Sequence, residues 1–356
     1  MTQPFVMVAL SGGVDSAVVA RLLSEKYEKI VGVSHKHWPE SRCCSTSCLD
    51  RCAAQCQDMG IPYYPVDCMV EFTQAIVDDF VATYQQGRTP NPCVLCNQTI
   101  RFDMMIQKFF AMNPELSDLD YRIATGHYAQ IEKVDGKAIL KRGVDLDKDQ
   151  SYMLYRLSEK QLQKCLFPLG KFYKSEVREK AENWQLRSSK QSDSQDVCFV
   201  TSTYQKFLDD YVGKQQKPGE LVDRDGKVLG EHRGVAYYTR GQRKGLGLSG
   251  GPWYVIEVDT VKNEIVLGPR EDLSQKTFIL YKTEWGALPI KFPFQAKVQL
   301  RYHGKVMDVF VEKLGSEDLY KCHLDEFSYD ITPGQSAVIY EKDYVVGGGL
   351  ITDDLP

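Results

Sequence analysis

The chain has 356 residues, with 44 Lys and Arg against 48 Asp and Glu, for a net charge of −4. That length makes two or three domains, and 43% hydrophobic with 26% charged residues is ordinary for a globular protein. No segment approaches 18 uninterrupted apolar residues, which excludes a spanning helix and any membrane partner of that kind.

The N-terminus, MTQPFVMVAL, has no basic stretch ahead of its apolar run, so a cytoplasmic location is expected. Eleven cysteines in such a compartment point to thiol or metal chemistry rather than a disulfide framework. The net charge speaks weakly against a nucleic-acid partner, but only as an average, because basic residues can cluster on one face.

Phe5 to Leu10 reads as a buried strand, and Val18, Val19, Leu22 and Leu23 recur at helical spacing. Between them lies Ser11-Gly12-Gly13-Val14-Asp15-Ser16. A Gly-rich turn from a strand into a helix presents backbone N–H groups and the positive end of a helix dipole to an anion. The usual mononucleotide loop ends in Gly-Lys-Ser/Thr, and no Lys follows these glycines. Residues 29–35 read as a second strand, and Tyr63 to Cys68 as a third. Cys48, Cys52 and Cys56 fall on one helix face, where core packing is the expected role, beside a Cys43-Cys44 pair of unassigned role. Val70 to Tyr84 reads as a helix, Gly87 to Asn97 as a loop fixed by Pro90 and Pro92, Gln98 to Phe110 as a helix, and 122–126 as a strand.

Strands alternating with helices predict a parallel sheet, with ligands at the carboxyl ends of its strands. A hairpin follows over 130–141, turned at Asp135-Gly136. A helix is expected to open at Lys148-Asp149-Gln150-Ser151, another to span Phe172 to Leu186, and a loop and strand to occupy 190–200. After about 205, Asp-Gly and Gly-Gly turns separate short strands, and segments from 295 to 341 read as a small antiparallel barrel. The expected domains are 1–205 (catalytic), 206–274 (central) and 275–356 (barrel).

Cys96, placed just ahead of a helix with Arg101 one turn on, and Cys198, after a polar loop, are candidate reactive thiols. From His232 to Ile256 there are four basic residues, no acidic one, and Tyr237 and Tyr238 between them, a mixture suited to RNA.

Taken in order, SGGVDS, TPNPCVLCN, ATGHYA, KDQSY, FPLG, DSQDVCF, YTRGQRKGLG, LRY and GGG resemble the tRNA-specific 2-thiouridylases. These belong to the enzymes whose pyrophosphate loop (PP-loop) splits ATP into AMP and pyrophosphate. The resemblance implies a PP-loop α/β domain, a small central domain and a C-terminal β-barrel, acting on the wobble uridine of tRNAs for Lys, Glu and Gln. ATP with Mg2+ would adenylate the uracil oxygen. Cys198 would carry sulfur as a persulfide, Cys96 would release it and leave a disulfide, and Asp15 would serve as a base or metal-side carboxylate. Nucleotide contacts would come from Ala9, Leu10, Ser11, Gly12, Gly13, Val14, Asp15, Ser16, His35 and Gly126. Asn91, Pro92 and Cys93 would line the target base. His127, Lys148, Asp149, Gln150, Arg301, Tyr302 and Gln335 would contact tRNA. The sulfur donor would be a cysteine desulfurase or a sulfur-relay protein.

Three features depart from the family pattern. Cys93 stands where many members carry Asp, so Cys93, Cys96 and Cys198 form an alternative ligand set for a [4Fe-4S] cluster; the persulfide route is preferred, because CxxC alone is a loose motif. His35 stands where a Met is usual, with His37 two residues on, and Arg240 replaces an aliphatic residue. Two other readings compete: an amide-forming PP-loop synthetase, which would need no paired thiols, and a metal-dependent RNA-binding or redox-sensing protein.

Overall fold

The structure, a computed structural model, describes residues 3–39, 45–191, 197–213, 216–315 and 317–353. Cys43 and Cys44 lie outside the described residues, as does Asp196 in the motif before Cys198.

Five parallel strands form the first sheet. They are β1 (Phe5–Ala9), β2 (Ile30–Lys36), β3 (Tyr63–Asp67), β4 (Tyr121–Ala124) and, after a hairpin, a short strand at Cys165–Leu166. β1 lies at the centre, between β2 and β4. Its run FVMVA is apolar throughout because helices cover both faces of a parallel sheet. Alternation sorts the side chains: Val6 and Val8 enter one buried cluster, Phe5 and Met7 the other. Helix α1 (Val14–Ser24) and helix α2 (Thr46–Asp58) pack on the Val6 side. Cys48, Cys52 and Cys56 are all buried there, as expected of a packing stripe. No space remains for a side chain at Gly32 on β2, because the Cys56 thiol and Leu10 occupy it.

On the other face run two continuous helices, 69–85 and 92–112. The second corrects an expectation. It begins at Pro92 rather than at Gln98, since proline's fixed φ suits the first helical position. Cys96 is therefore the fifth residue of the helix, not its forerunner, and Cys93 is the one in the first turn.

The hairpin of β5 (Ala129–Val134) and β6 (Lys137–Arg142) turns where expected, with positive φ at both Asp135 and Gly136. A short 3-10 turn, Ser151–Leu154, replaces the helix expected after Lys148. No strand forms at 197–200; Cys198 sits in a turn. A helix not expected from the sequence, Tyr204–Val212, leads into a four-stranded sheet made of Gly219–Val222, Val228–His232, Tyr254–Asp259 and Glu264–Gly268.

Six strands close the C-terminal barrel in the order 275–285, 320–328, 306–313, 294–299, 336–341 and 344–352, and the last pairs back to the first. The first and last of these were not anticipated. The β5–β6 hairpin attaches to this barrel through the pairing of Lys141 with Tyr344, so the sheet runs on beyond the ring.

Packing of the thiol stripe is testable through Gly32. Gly32→Ala is expected to cost about 1–3 kcal/mol of stability by overpacking. Adding Cys56→Ala should recover part of that loss, a positive coupling measured in a double-mutant denaturation cycle.

Candidate active site

The loop after β1 is shaped by Gly12, whose φ is +72°. A Cβ there would strike the Cys48 thiol. The same thiol donates to the Ser11 carbonyl at 3.1 Å. Gln191, with its amide nitrogen turned toward the loop, donates to the Gly12 carbonyl at 2.9 Å and accepts from Arg51 at 3.0 Å. Gly13 is the N-cap of α1, and no side chain caps that end. The Ser11 and Ser16 hydroxyls lie 3.4 Å apart. Gly126, after β4, closes on the same helix end: its Cβ would meet Asp15 Cβ at 3.0 Å and the Ser16 nitrogen at 3.1 Å. Ala9, Leu10 and Val14 complete the passage from strand to helix and are mostly buried. Orphan N–H groups and serine hydroxyls at a helix N-terminus make an anion cradle.

Asp15, in the first turn of α1, has partners of its own. Lys174 donates to both of its carboxylate oxygens at 2.7 Å, and the Tyr128 hydroxyl donates to one at 2.8 Å. The carboxylate thus accepts three hydrogen bonds in this structure. Among the described residues, Lys174 and Arg51 bring cationic groups to this loop. Lys174 is 159 residues from Asp15, so sequence spacing carried no sign of it; only its place in the first turn of helix Lys174–Asn183 aims it.

β2 ends one strand away. Ser34 donates to the Leu10 carbonyl at 2.8 Å and ties this strand to the start of the loop. His35 and His37 follow, both buried, with ring centroids 4.6 Å apart. His37 Nε2 lies 3.3 Å from Cys198 Sγ. The Cys198 turn therefore stands at the same carboxyl edge of the sheet as the phosphate cradle. Cys96 belongs to, and Cys198 packs against, one buried cluster. Neither is disulfide-bonded in this structure, nor is Cys93. Among the described residues no three His, Cys, Asp or Glu side chains converge as a metal needs. The residues thus do not fit a [4Fe-4S] cluster.

Asn91 and Pro92 sit where the barrel grips the chain. Thr89 N donates to the Pro333 carbonyl at 2.9 Å, and Gln335 donates to the Pro90 carbonyl at 3.2 Å. Tyr152 donates to the Ser336 carbonyl at 2.8 Å and also bonds Asn91. Tyr302 lies beside Gln150, Asp149 and Cys93, and burial pushes its phenol up to about 12.

The expected tRNA contacts divide. Arg301 is exposed, 3.3 Å from Asp330, and Lys148 and Tyr302 are half-buried. Asp149 is buried and accepts from Gly143 N, Ser151 N and the Ser151 hydroxyl, which holds its turn together. Gln150 accepts from Tyr128 N at 3.1 Å, and Gln335 bridges to Pro90. His127 is enclosed by Phe102 and Phe167, with Thr125 2.6 Å from Nδ1 and Arg101 3.4 Å from Nε2. Asp149 is enclosed by these bonds, whereas His127, Gln150 and Gln335 are half-buried and bonded within the site's frame. Tyr237 and Tyr238 are likewise buried and fill the core beneath the basic stretch, so they do not offer stacking faces. Arg240 pairs with Asp353 at 3.2 Å. Beside it a cavity of about 360 Å³ is lined by Arg243, the 245–248 loop and Trp253.

A phosphate cradle at the carboxyl edge of a parallel sheet, one strand from a histidine-contacted thiol, defines a PP-loop α/β protein equipped for thiol chemistry. Sequence comparison makes the class specific. The chain matches the tRNA methyl transferase HUP domain over residues 5–202, the tRNA methyl transferase PRC-barrel domain over 205–269, and the aminomethyltransferase beta-barrel domain over 275–351. The tRNA-specific 2-thiouridylase MnmA of Acetivibrio thermocellus is 38% identical, over 99% of this chain and all of its own length. That of Carboxydothermus hydrogenoformans is 40% identical, over 97% of each chain. The chain belongs to this 2-thiouridylase family. The U34-tRNA thiolase NcsA from Methanococcus maripaludis, solved with its [4Fe-4S] cluster, overlays 59% of this chain and 64% of its own at 22% identity and a TM-score of 0.35, too remote to inform the site. No helix among the described residues is long and apolar enough to cross a membrane.

Burial, reinforced by the nearby Arg101 charge, holds His127 well below its ordinary pKa. The folded state then binds fewer protons than the unfolded chain below about pH 6.5, so this group's stabilisation is complete above that pH and is lost as pH falls. Between about pH 7.5 and pH 5.5, wild type should lose more unfolding free energy than His127→Gln, by up to roughly 1.4 kcal/mol per pH unit, as read from urea titrations.

Proposed function

We propose that this chain is an ATP-dependent tRNA 2-thiouridylase acting on the wobble uridine. The observation that carries the reading is the shared edge: phosphate cradle and Cys198 stand at the carboxyl ends of adjacent strands, in a chain alike over its whole length to 2-thiouridylases. An amide-like carbonyl oxygen is a poor leaving group. ATP, its phosphates in the Ser11–Ser16 loop, adenylates the uracil 2-oxygen and releases pyrophosphate. The Lys174 and Arg51 cations offset the charge of the departing phosphates.

Cys198 carries the sulfur as a persulfide, taken from a cysteine desulfurase or relay protein. The terminal sulfur attacks carbon 2 and AMP leaves. The Cys96 thiolate then attacks the Cys198 sulfur, cleaves the S–S bond, and leaves 2-thiouridine on the tRNA and a Cys96–Cys198 disulfide. An external thiol reductant resets the pair. Dividing one hard displacement into these steps is the advantage of covalent catalysis. Asn91, Pro92 and Cys93 border the flipped base, and Arg301, Lys148 and Tyr302 meet the tRNA. Magnesium would accompany ATP, with Asp15 as its carboxylate or as a base.

Mass spectrometry of tRNA nucleosides after incubation with ATP, magnesium and a sulfur source should show one sulfur gained on the wobble uridine. Cys198→Ser should lower that gain by roughly a thousandfold or more while tRNA-dependent pyrophosphate release persists. No thiolation by the wild-type chain, with pyrophosphate release indifferent to Cys96→Ser and Cys198→Ser, would instead favour an amide-forming synthetase.

A further inference from the structure

His37 is not among the expected site residues, yet its ring touches the Cys198 sulfur. It is about 1% exposed. Its Nδ1 lies 3.1 Å from the His35 carbonyl oxygen. A carbonyl can only accept, so Nδ1 carries the proton and donates it. That leaves Nε2 with its lone pair, aimed at Cys198 Sγ 3.3 Å away. The ring is clamped by Phe72, with centroids 4.5 Å apart, and by His35. Thiol, imidazole and a backbone carbonyl that fixes the tautomer are the three parts of an activated cysteine nucleophile.

The surroundings show why such a base is needed. Phe199 stacks edge-on against Phe72 and Phe80, and Trp38 lies over Phe199, so the Cys198 turn is walled by aromatic rings. An apolar wall disfavours a thiolate. Burial pushes Cys68, at the start of the helix carrying Phe72, up to about 12. Cys198 differs in having an imidazole nitrogen against its sulfur. Among the described residues, His35 and Cys198 are titratable groups that face that imidazole, and the 69–85 helix brings Met69, Phe72 and Thr73, which carry no charge, to the same place. A cavity of about 380 Å³ has His37, Trp38, Pro39, Met69 and Thr73 in its walls and so opens beside the same imidazole.

We propose that His37 is the general base of the sulfur-loading half-reaction. The proposal rests on the sulfurtransferase reading above and adds a catalytic residue to it. His37 Nε2 takes the proton of the Cys198 thiol. The thiolate attacks the terminal sulfur of a donor persulfide, and a new S–S bond forms as the donor's S–S bond breaks. The donor leaves as a thiolate and recovers the proton held on His37. No net oxidation occurs, and Cys198 ends as the persulfide.

The test needs neither tRNA nor ATP. Full-length protein is alkylated with iodoacetamide across pH, and modification at Cys198 is followed by peptide mass spectrometry, with Cys96 as the internal comparison. Wild-type Cys198 should show an inflection clearly below the ordinary thiol value of about 8.5. His37→Gln should move it up by about one unit or more and slow alkylation near pH 7 roughly tenfold, with Cys96 unchanged. A wild-type inflection at the ordinary value overturns the proposal without any variant, and so does a His37→Gln profile superimposable on wild type. A shifted profile in a protein that thiolates no tRNA would keep the Cys198–His37 pair and sink the 2-thiouridylase reading; active thiolation with an indifferent profile would do the reverse.

Discussion

The arrangement at the sheet edge depends on the absence of one side chain. Gly12 turns the backbone through positive φ, and the Cys48 thiol lies where its Cβ would stand. A residue with a Cβ would have to lift the loop off α2 and adopt a conformation it disfavours. Because the loop stays down, α1 starts at Val14 with its N-terminus facing the edge. The Ser34 bond to Leu10 locks β2 at the same height, and this sets where His35 and His37 emerge. Position passes from a glycine to a thiol through contacts that are each short and specific.

The barrel is part of the same construction. Its 332–336 segment holds Thr89, Pro90 and, through Tyr152, Asn91, immediately before Cys93. Arg88 reaches Tyr281 at 2.9 Å, and Ser151 meets the Tyr340 hydroxyl at 3.3 Å. The β5–β6 hairpin joins the barrel's sheet edge to edge. A domain that looks remote in sequence therefore shapes the approach to the thiols. Several side chains expected to touch RNA, Gln335 and Asp149 among them, are spent on this internal bonding.

Much of this was legible in the chain. The loop, the first three strands, the Asp135-Gly136 hairpin and the packed cysteine stripe follow from period, turn chemistry and spacing. What escaped did so for physical reasons. Pro92 looked like a loop residue because Pro90 lies beside it, although Asn-Pro is also a sound helix start. Lys174 and His37 matter only through partners 159 and 161 residues away, which no local pattern encodes. The outer barrel strands were not anticipated; in the last of them Gly347, Gly348 and Gly349 pair inside a strand whose crowded neighbours leave no space for side chains, although glycine is a poor strand former. Tyr237 and Tyr238 looked available because local composition cannot report that a folded core lies beneath them.

Cysteine count shows the same limit from the side of chemistry. Burial pushes Cys56 and Cys68 up to about 12, and also drives up Cys165 and Cys322. Those thiols serve as small apolar fillers. Cys52 is held below the ordinary value, chiefly by its hydrogen bond with Cys48, yet it lies sealed under the phosphate loop with no route to a substrate. A thiol in this fold becomes useful for sulfur transfer only where two conditions coincide: partial exposure at the carboxyl edge of the sheet, and a polar partner on the sulfur. Cys198 meets both, through the turn that carries it and through His37. Cys96 differs in exposure, being buried within the helix that Pro92 starts.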